Sequence, residues 1–522
     1  MALCVRLFTA PSCAQSPELF GGARSRMAEY ARSHSQVLDL SSPAAFHADL
    51  LETAGKQIIM LGETHGMTVS NDLDLALLAW LHRNAGVRVY LGEFGHATAF
   101  LVNRYFETGD ERLLDMLFDA ARGTLMWNRE YRDFFVRFRQ WNVSLPAAER
   151  VRFVGVDIEH NPNLAVWALG EWVRESRAAG REAPAAIAGV AERLAAAGMR
   201  IQSPEVSALV REVPGDFTAH QEEWRRLLGQ RLADFEIVTA NMRERDAAYS
   251  GKGNGGFDGI RDRAMYATFL KLYPTLGGVR CYGRWGTSHV AQAPLHGTNW
   301  FATYLNQPGS PVAGKVLSIW PFYEQSEILA RTNDNRYRVE RLSQGTLVRG
   351  LDTSATPVML VRVDGAGSPL AGLPLDNRKI GEIAQYAVLI RGATAVHPME
   401  ASAMYAPAAP APPGAPAPTV VGTVPAMGRK DVPAGETNLG ITFSQAMAAG
   451  SYSFVSAEEG EVPPGVGLDP SFDAEGRTCT LRVKLAPGKK YAVWINRGRY
   501  QNFRGRNGTP AEAYLLVFET RP

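Results

Sequence analysis

The chain is poor in cysteine. Only Cys4, Cys13, Cys281 and Cys479 occur in 522 residues. Their spacing makes neither a disulfide framework nor a zinc knuckle. Net charge is nearly absent, with 55 Lys and Arg against 53 Asp and Glu. A dedicated nucleic-acid binder concentrates basic residues on one face, so no nucleic-acid partner is expected. No apolar run reaches the roughly 18 residues of a membrane-crossing helix, and no transmembrane segment is expected. There is no Gly-x-Ser-x-Gly elbow for a serine nucleophile and no His-Glu-x-x-His zinc motif. What is present is a globular composition, 46% hydrophobic and 21% charged, which excludes global disorder.

Composition divides the chain into four segments. Residues 1–36 read as a leader or a disordered extension. Met1–Ala14 has one early arginine, a short apolar stretch broken by Pro11, and small residues near Ala14. These are features of a cleaved secretory signal, and equally of an extension or of a start at Met27. Residues 37–398 alternate strand and helix patterns, with a helical insertion at about 163–250. Residues 399–418 contain Ala406–Pro418, where Pro and Ala alternate as in a semi-rigid polyproline spacer. Residues 419–522 carry short β runs separated by Pro-Gly and Asn-Gly turns, an all-β sandwich pattern.

In the second segment the apolar runs Gln57–Leu61, Val87–Leu91, Val151–Val156, Gly278–Tyr282, Val316–Trp320 and Tyr386–Ile390 read as strands. Helical spacing marks Asp72–His82, Ala97–Phe106, Glu111–Ala120, Arg129–Trp141 and Asn163–Glu175. The fold class expected is α/β, a mostly parallel sheet with a helical insertion, followed by the C-terminal all-β sandwich.

The chemistry-bearing residues stand at strand ends. Glu63, Glu93 and Asp157 each directly follow a predicted buried strand, His65 lies two residues past Glu63, and His289 lies seven past Tyr282. Open α/β sheets bind ligands outside the carboxyl ends of their strands. A carboxylate at such an end is costly unless paired, protonated or metal-bound. For Asp157 a helix cap is an equal reading; Glu is a poor N-cap, which argues against that role for Glu63. His96, three residues after Glu93, and His160, near Asp157, are candidates for the surrounding shell. Arg261 and Asp262 read as an ion pair bracing the site or as the start of a helix. Gly251–Gly256 matches Gly-x-Gly-x-x-Gly but follows a charged helix, which argues against a dinucleotide fingerprint.

The ordered set Gly62-Glu63-Thr-His65-Gly66, Gly92-Glu93, Asn103-Arg-Tyr105, Thr108-Gly-Asp110, Trp127 with Glu130, Trp141-Asn142, Val154-Gly-Val-Asp157, Arg261-Asp-Arg-Ala-Met265, Gly286-x-x-His289 and Tyr386–Pro398 resembles the erythromycin esterase-like family. The match runs collinearly from about residue 40 to 398. The Gly-Glu-x-His spacing is shared with a wider superfamily that includes haem-binding lipoproteins and Wnt-cleaving metalloproteases. Thr423–Gly428, Ile441–Ser444, Leu485–Gly488 with Tyr491, and Val517–Thr520 resemble bacterial Ig-like modules. Such modules are commonest outside the cytoplasm, and the resemblance implies export and contact with a surface or matrix.

The esterase resemblance implies a hydrolase in which His65 activates water as general base, Glu63 and Glu93 support it, and His289 donates to the oxyanion. Trp127, Asp157, His160, His96, Arg261 and Asp262 would form the substrate or surrounding shell. The expected substrate is a small molecule or a peptide, and the expected cofactor is none or a divalent metal ion. Glu63, His65, Glu93 and His289 are also a plausible ligand set for such a metal, as in a peptidase or amidase. A non-enzymatic protein holding haem or an apolar ligand in the same crevice is the third reading.

Overall fold

The computed structural model describes residues 17–43, 45–250, 256–331, 336–343, 357–375, 377–404, 416–448, 452–457, 459–464, 470–497 and 501–522. Met1–Ala14, most of the Pro/Ala spacer and most of the Gly251–Gly256 loop lie outside these residues. The chain divides into two compact units, one chiefly Glu400–Pro522, the other Cys4–Ala330 with Val339–Met399.

The larger unit is built on an eight-stranded sheet. In chain order its strands are β1 (Ser35–Val37), β2 (Ile58–Glu63), β3 (Val87–Gly95), β4 (Arg152–Asp157), β5 (Arg280–Gly286), β6 (Val316–Glu324), β7 (Val358–Arg362) and β8 (Tyr386–Arg391). Their spatial order is β1-β7-β8-β6-β2-β5-β3-β4. From β8 to β4 all neighbours run parallel, and β7 and β1 close one edge antiparallel. The helices used below are α1 (Pro17–His34), α2 (Thr68–Ala85), α3 (His96–Thr108), α4 (Glu111–Ala120), α5 (Arg129–Ser144), α6 (Pro162–Ala178), α7 (Ala188–Ala196), α8 (Pro204–Ala219), α9 (Gln221–Leu228), α10 (Leu232–Tyr249) and α11 (Gly256–Leu272).

Side chains alternate across a strand, and both faces of the central strands are covered. Ile58, Met60, Val89, Leu91, Val154 and Val156 pack in one cluster with Met265 and Phe269 of α11. Tyr90 and Phe153 stack at 4.9 Å on the opposite face, against Phe134 and Phe138 of α5. This two-sided burial explains why β2–β4 read as continuous apolar runs. Gly283 lets β5 lie close to β3, since a Cβ there would run into the Leu91 carbonyl.

The sequence expectations differ from the fold in three places. β5 extends to Gly286 rather than ending at Tyr282, so His289 is three residues past its strand, in the turn Thr287–Val290. Arg284 interrupts the apolar pattern, which hid the second half of the strand. The antiparallel strands β1 and β7 were not expected. Within residues 1–36, Pro17–His34 is a helix rather than an extension, and Met27, Tyr30 and Ala31 pack against the core of the sheet.

The smaller unit has two antiparallel sheets. One orders β9 (Val420–Val424), β10 (Gly435–Phe443), β13 (Thr478–Leu485) and β12 (Ser471–Phe472); the other orders β11 (Phe454–Ser456), β14 (Lys490–Ile495) and β15 (Tyr514–Glu519). Leu439, Ile441, Phe443 and Val483 from the first meet Tyr491, Val493, Leu516 and Phe518 from the second in one core. This is the sandwich that the turn spacing predicts.

Candidate active site

Parallel pairing brings the carboxyl ends of β2, β5, β3 and β4 side by side, in that order. Those ends carry Glu63, Gly286 with the His289 turn, Glu93 and Asp157. The Thr287 hydroxyl donates to the Glu63 carbonyl at 2.7 Å and ties the turn to β2. The Gly286 amide donates to Glu93 Oε2 at 2.6 Å and ties it to β3. A Cβ placed on Gly286 would lie 3.4 Å from Glu93 Oε2, 3.4 Å from His289 Cδ2 and 3.5 Å from His65 Nε2. Three of the four expected catalytic side chains therefore surround one glycine, and the fourth, Glu63, is bonded to one of them.

That bond joins His65 Nδ1 to Glu63 Oε1 at 2.8 Å. It leaves Nε2 as the nitrogen facing Gly286. The His65 side chain is 33% exposed, whereas Glu63 and Glu93 are 12% and His289 is 6% exposed. Solvent thus meets His65 first. Burial alone would raise the Glu63 pKa, but Arg284 and His65 outweigh it and hold the carboxyl below its usual range. Burial disfavours charged His65, yet Glu63 and Glu93 outweigh that effect and raise it above 6.5.

The other half of the site centres on Arg261 of α11. Its Nε lies 3.0 and 3.1 Å from the two Asp157 oxygens, and its Nη2 donates to Glu93 Oε1 and Asp157 Oδ2, each at 2.5 Å. Nη1 stands 3.1 Å from His289 Nε2, which is also 3.4 Å from Glu93 Oε1. His289 Nδ1 is 2.7 Å from Asp262 Oδ1, which also accepts from the Phe301 amide. Burial opposes ionisation of Glu93, but His289 and Arg261 overcome it and hold Glu93 at about 2. Asp157 is likewise held well below the carboxylate range by Arg261 and His160 against its burial. Burial lowers His289, while Asp262 and Glu93 raise it to a net value above 6.5.

Arg261 and Asp262 are both buried, and each serves a different partner rather than the other. Asp157 is not a cap: α6 begins after Asn161 and has no side-chain cap. His160 bonds Asp157 Oδ2 at 3.0 Å and the Tyr249 hydroxyl at 2.9 Å. His96 turns away from Glu93, because the first turn of α3 points its ring at Asp234, 2.8 Å distant. Trp127 is buried beneath the Arg122 guanidinium, 4.7 Å from its ring centre. Sequence reasoning missed Arg284, Asn71, Asp74 and Tyr131. The available signal for Arg284 was a charged residue between Gly283 and Trp285, two residues before a glycine turn.

Among the described residues no group of three or more His, Cys, Asp or Glu is arranged to hold an ion. A guanidinium also faces His289 Nε2, the nitrogen a cation would need. Among the described residues no helix is long and apolar enough to cross a membrane.

No curated protein matches the chain. Among solved structures, a protein from Bacillus cereus is similar at 15% identity and a TM-score of 0.54, covering 72% of this chain and 99% of its own. A succinoglycan biosynthesis protein is similar at 13% identity and a TM-score of 0.56, covering 73% and 100%. At such identities the likeness concerns the fold alone. An erythromycin esterase mutant in its open conformation aligns at 12% identity over 69% of this chain and 98% of its own, with a TM-score of 0.48. Residues 82–280 match the erythromycin esterase family, a segment that includes Glu93, Asp157, Arg261 and Asp262, with Glu63, His65 and His289 outside it. Residues 415–520 match the bacterial Ig-like domain. One segment of the chain therefore matches the erythromycin esterase family, which supports a hydrolase, and another matches a bacterial Ig-like domain.

Proposed function

We propose that the larger unit hydrolyses a carboxylic ester, a lactone included, by direct attack of water. The observation that carries this reading is the 2.8 Å bond between Glu63 Oε1 and His65 Nδ1, with Nε2 facing Glu93 and His289 across Gly286. A carboxylate on one ring nitrogen fixes the tautomer and leaves the other free to take a proton. His65 Nε2 removes a proton from water as the oxygen attacks the ester carbonyl. Glu63 accepts the Nδ1 hydrogen bond and balances the imidazolium. Arg261 and His289 place positive charge beside the carbonyl oxygen as it becomes anionic. On collapse of the tetrahedral intermediate the same proton passes from His65 to the leaving alkoxide. Water is the nucleophile, so no covalent enzyme intermediate forms.

The metal-dependent alternative is less well supported, because Arg261 occupies the approach to His289 Nε2. His65→Ala tests the proposal. General bases contribute about 10²–10⁴-fold, so hydrolysis of a reporter ester should fall by that order while circular dichroism stays unchanged. A base works deprotonated, and His65 is raised above 6.5. The wild-type rate should therefore climb with pH through a value above 6.5, and treatment with a chelator should leave it intact. A wild-type rate in His65→Ala removes this residue from the reaction.

A further inference from the structure

A second layer of charge lies behind the proposed base. Arg284 is the fifth residue of β5 and shares a sheet face with Tyr282, which turns it toward α2 and α5 rather than α11. Its side chain is 3% exposed. Nη1 donates to Asn71 Oδ1 at 2.7 Å. Nε lies 3.4 Å from Asp74 Oδ2 and 3.6 Å from Glu63 Oε1. Tyr131 and Phe134 cover the guanidinium, with ring centres 4.8 and 5.3 Å away. Asp74 is completely buried and is itself fixed: Tyr90 donates to Oδ2 at 2.8 Å and Tyr282 to Oδ1 at 2.9 Å.

A buried ion pair is an expensive way to stabilise a core, since apolar side chains of equal volume do as well or better. Here every member is oriented. Two phenols hold Asp74, Asn71 holds Arg284 through Nη1, aromatic rings cover its plane, and Nε lies between Asp74 and the carboxylate that orients His65. We propose that Arg284 is the positioning residue of the Glu63–His65 pair, clamped against Asp74 so that it fixes the carboxylate and aims His65 Nε2 into the crevice. Its importance for turnover rests on the esterase reading; the clamp itself does not.

The sign of its electrostatic effect follows without deciding which atom of the pair takes a proton. A cation beside the pair repels that proton wherever it binds. The charged and titratable groups facing the pair are Arg284, Glu93, His289, Asp74, Tyr131 and Tyr323. Removing Arg284 alone leaves the anions and raises the proton affinity of the pair. Removing Asp74 alone leaves the cation to Glu63 and lowers it.

The test uses the full chain with ¹⁵N-labelled histidine, following the His65 ring by NMR between pH 5 and 9 and assigning it with His65→Asn. Arg284→Met should move the His65 titration upward by about one pH unit, and Asp74→Asn should move it downward. Arg284→Lys keeps the charge and loses the fork, so the titration should stay near wild type. In that variant kcat for a reporter ester should fall about 10-fold or more with KM unchanged. Asp74→Asn preserves shape and one acceptor for a phenol, so it carries the test if Arg284→Met does not fold. An unmoved His65 titration in a folded Arg284→Met or Asp74→Asn, or a shift of opposite sign, overturns the proposal. Shifts of the expected sign in a protein that hydrolyses no ester would sink the esterase reading and leave the clamp standing.

Discussion

Gly286→Ala adds a single methyl group at the point where the crevice residues meet. The backbone there, φ −50° and ψ 134°, is open to alanine. The nearest atoms to the new methyl would be Glu93 Oε2 and His289 Cδ2 at 3.4 Å and His65 Nε2 at 3.5 Å, ordinary contact distances that require no rearrangement. Stability should therefore change by less than about 1 kcal/mol, and any change should be toward greater stability, because alanine restricts the unfolded chain. Activity should respond very differently. A water oxygen bonds an imidazole nitrogen at roughly 3 Å, so a shift of about 0.5 Å from the methyl position lets a water reach both His65 Nε2 and Glu93 Oε2. The methyl fills that space. Losing the activated water costs what the general base supplies, about 10²–10⁴-fold in kcat. The assay pairs thermal unfolding with kcat and KM for a reporter ester. A folded Gly286→Ala with wild-type kcat would show that the attacking water lies elsewhere, and the mechanism drawn through His65 Nε2 would fail with it.

Two further predictions concern stability and separate the two kinds of buried carboxylate. Glu93 is held at about 2 against an ordinary 4.5, so it contributes stability that is complete above pH 4.5 and lost as pH falls toward 2. The contribution is about 3 kcal/mol, and urea titrations of the wild type and Glu93→Gln should converge as pH falls through that window. Glu159 is the opposite case: buried, with Oε1 accepting from the Ala97 amide and Oε2 unpartnered, it is pushed up to about 8 by burial. The folded state then binds the proton more tightly, and stability declines as pH rises from 4.5 to 8. Glu159→Gln should gain on the order of 4 kcal/mol at pH 8 and nothing at pH 4; equal gains at both would refute the assignment.

The sequence showed the site where polarity broke an apolar run. Glu63, Glu93 and Asp157 stand out because each ends a strand buried on both faces, where a carboxylate has no structural reason to be. Arg284 escaped for the reverse reason: it sits inside such a run and ends the pattern that identifies a strand. Its solvation comes from Asp74, Asn71 and Glu63, which are distant in sequence, so periodicity could not reveal that the site would tolerate it. β1 and β7 were hidden because a three-residue strand has too few positions to show alternation, and β7 joins the sheet antiparallel without a helical crossover to announce it. His96 was misplaced because spacing from Glu93 says nothing of the direction a helix takes as it leaves the sheet, and here its first turn presents the ring to Asp234.

The position of β5 between β2 and β3 has a consequence for synthesis. Both neighbours leave the ribosome long before residues 280–286 do. At about 5–20 residues per second, some 10–40 s separate the end of β3 from the end of β5. During that interval two apolar strands each expose an edge whose proper partner does not yet exist, and pairing them directly would close the sheet around a missing strand. Until β5 arrives those two edges are open to mispairing, so its late insertion is what completes the centre of the sheet. Glu63, His65 and Glu93 are all synthesised before the gap closes, yet Gly286, beside which His65 and Glu93 meet, arrives with the strand that closes it.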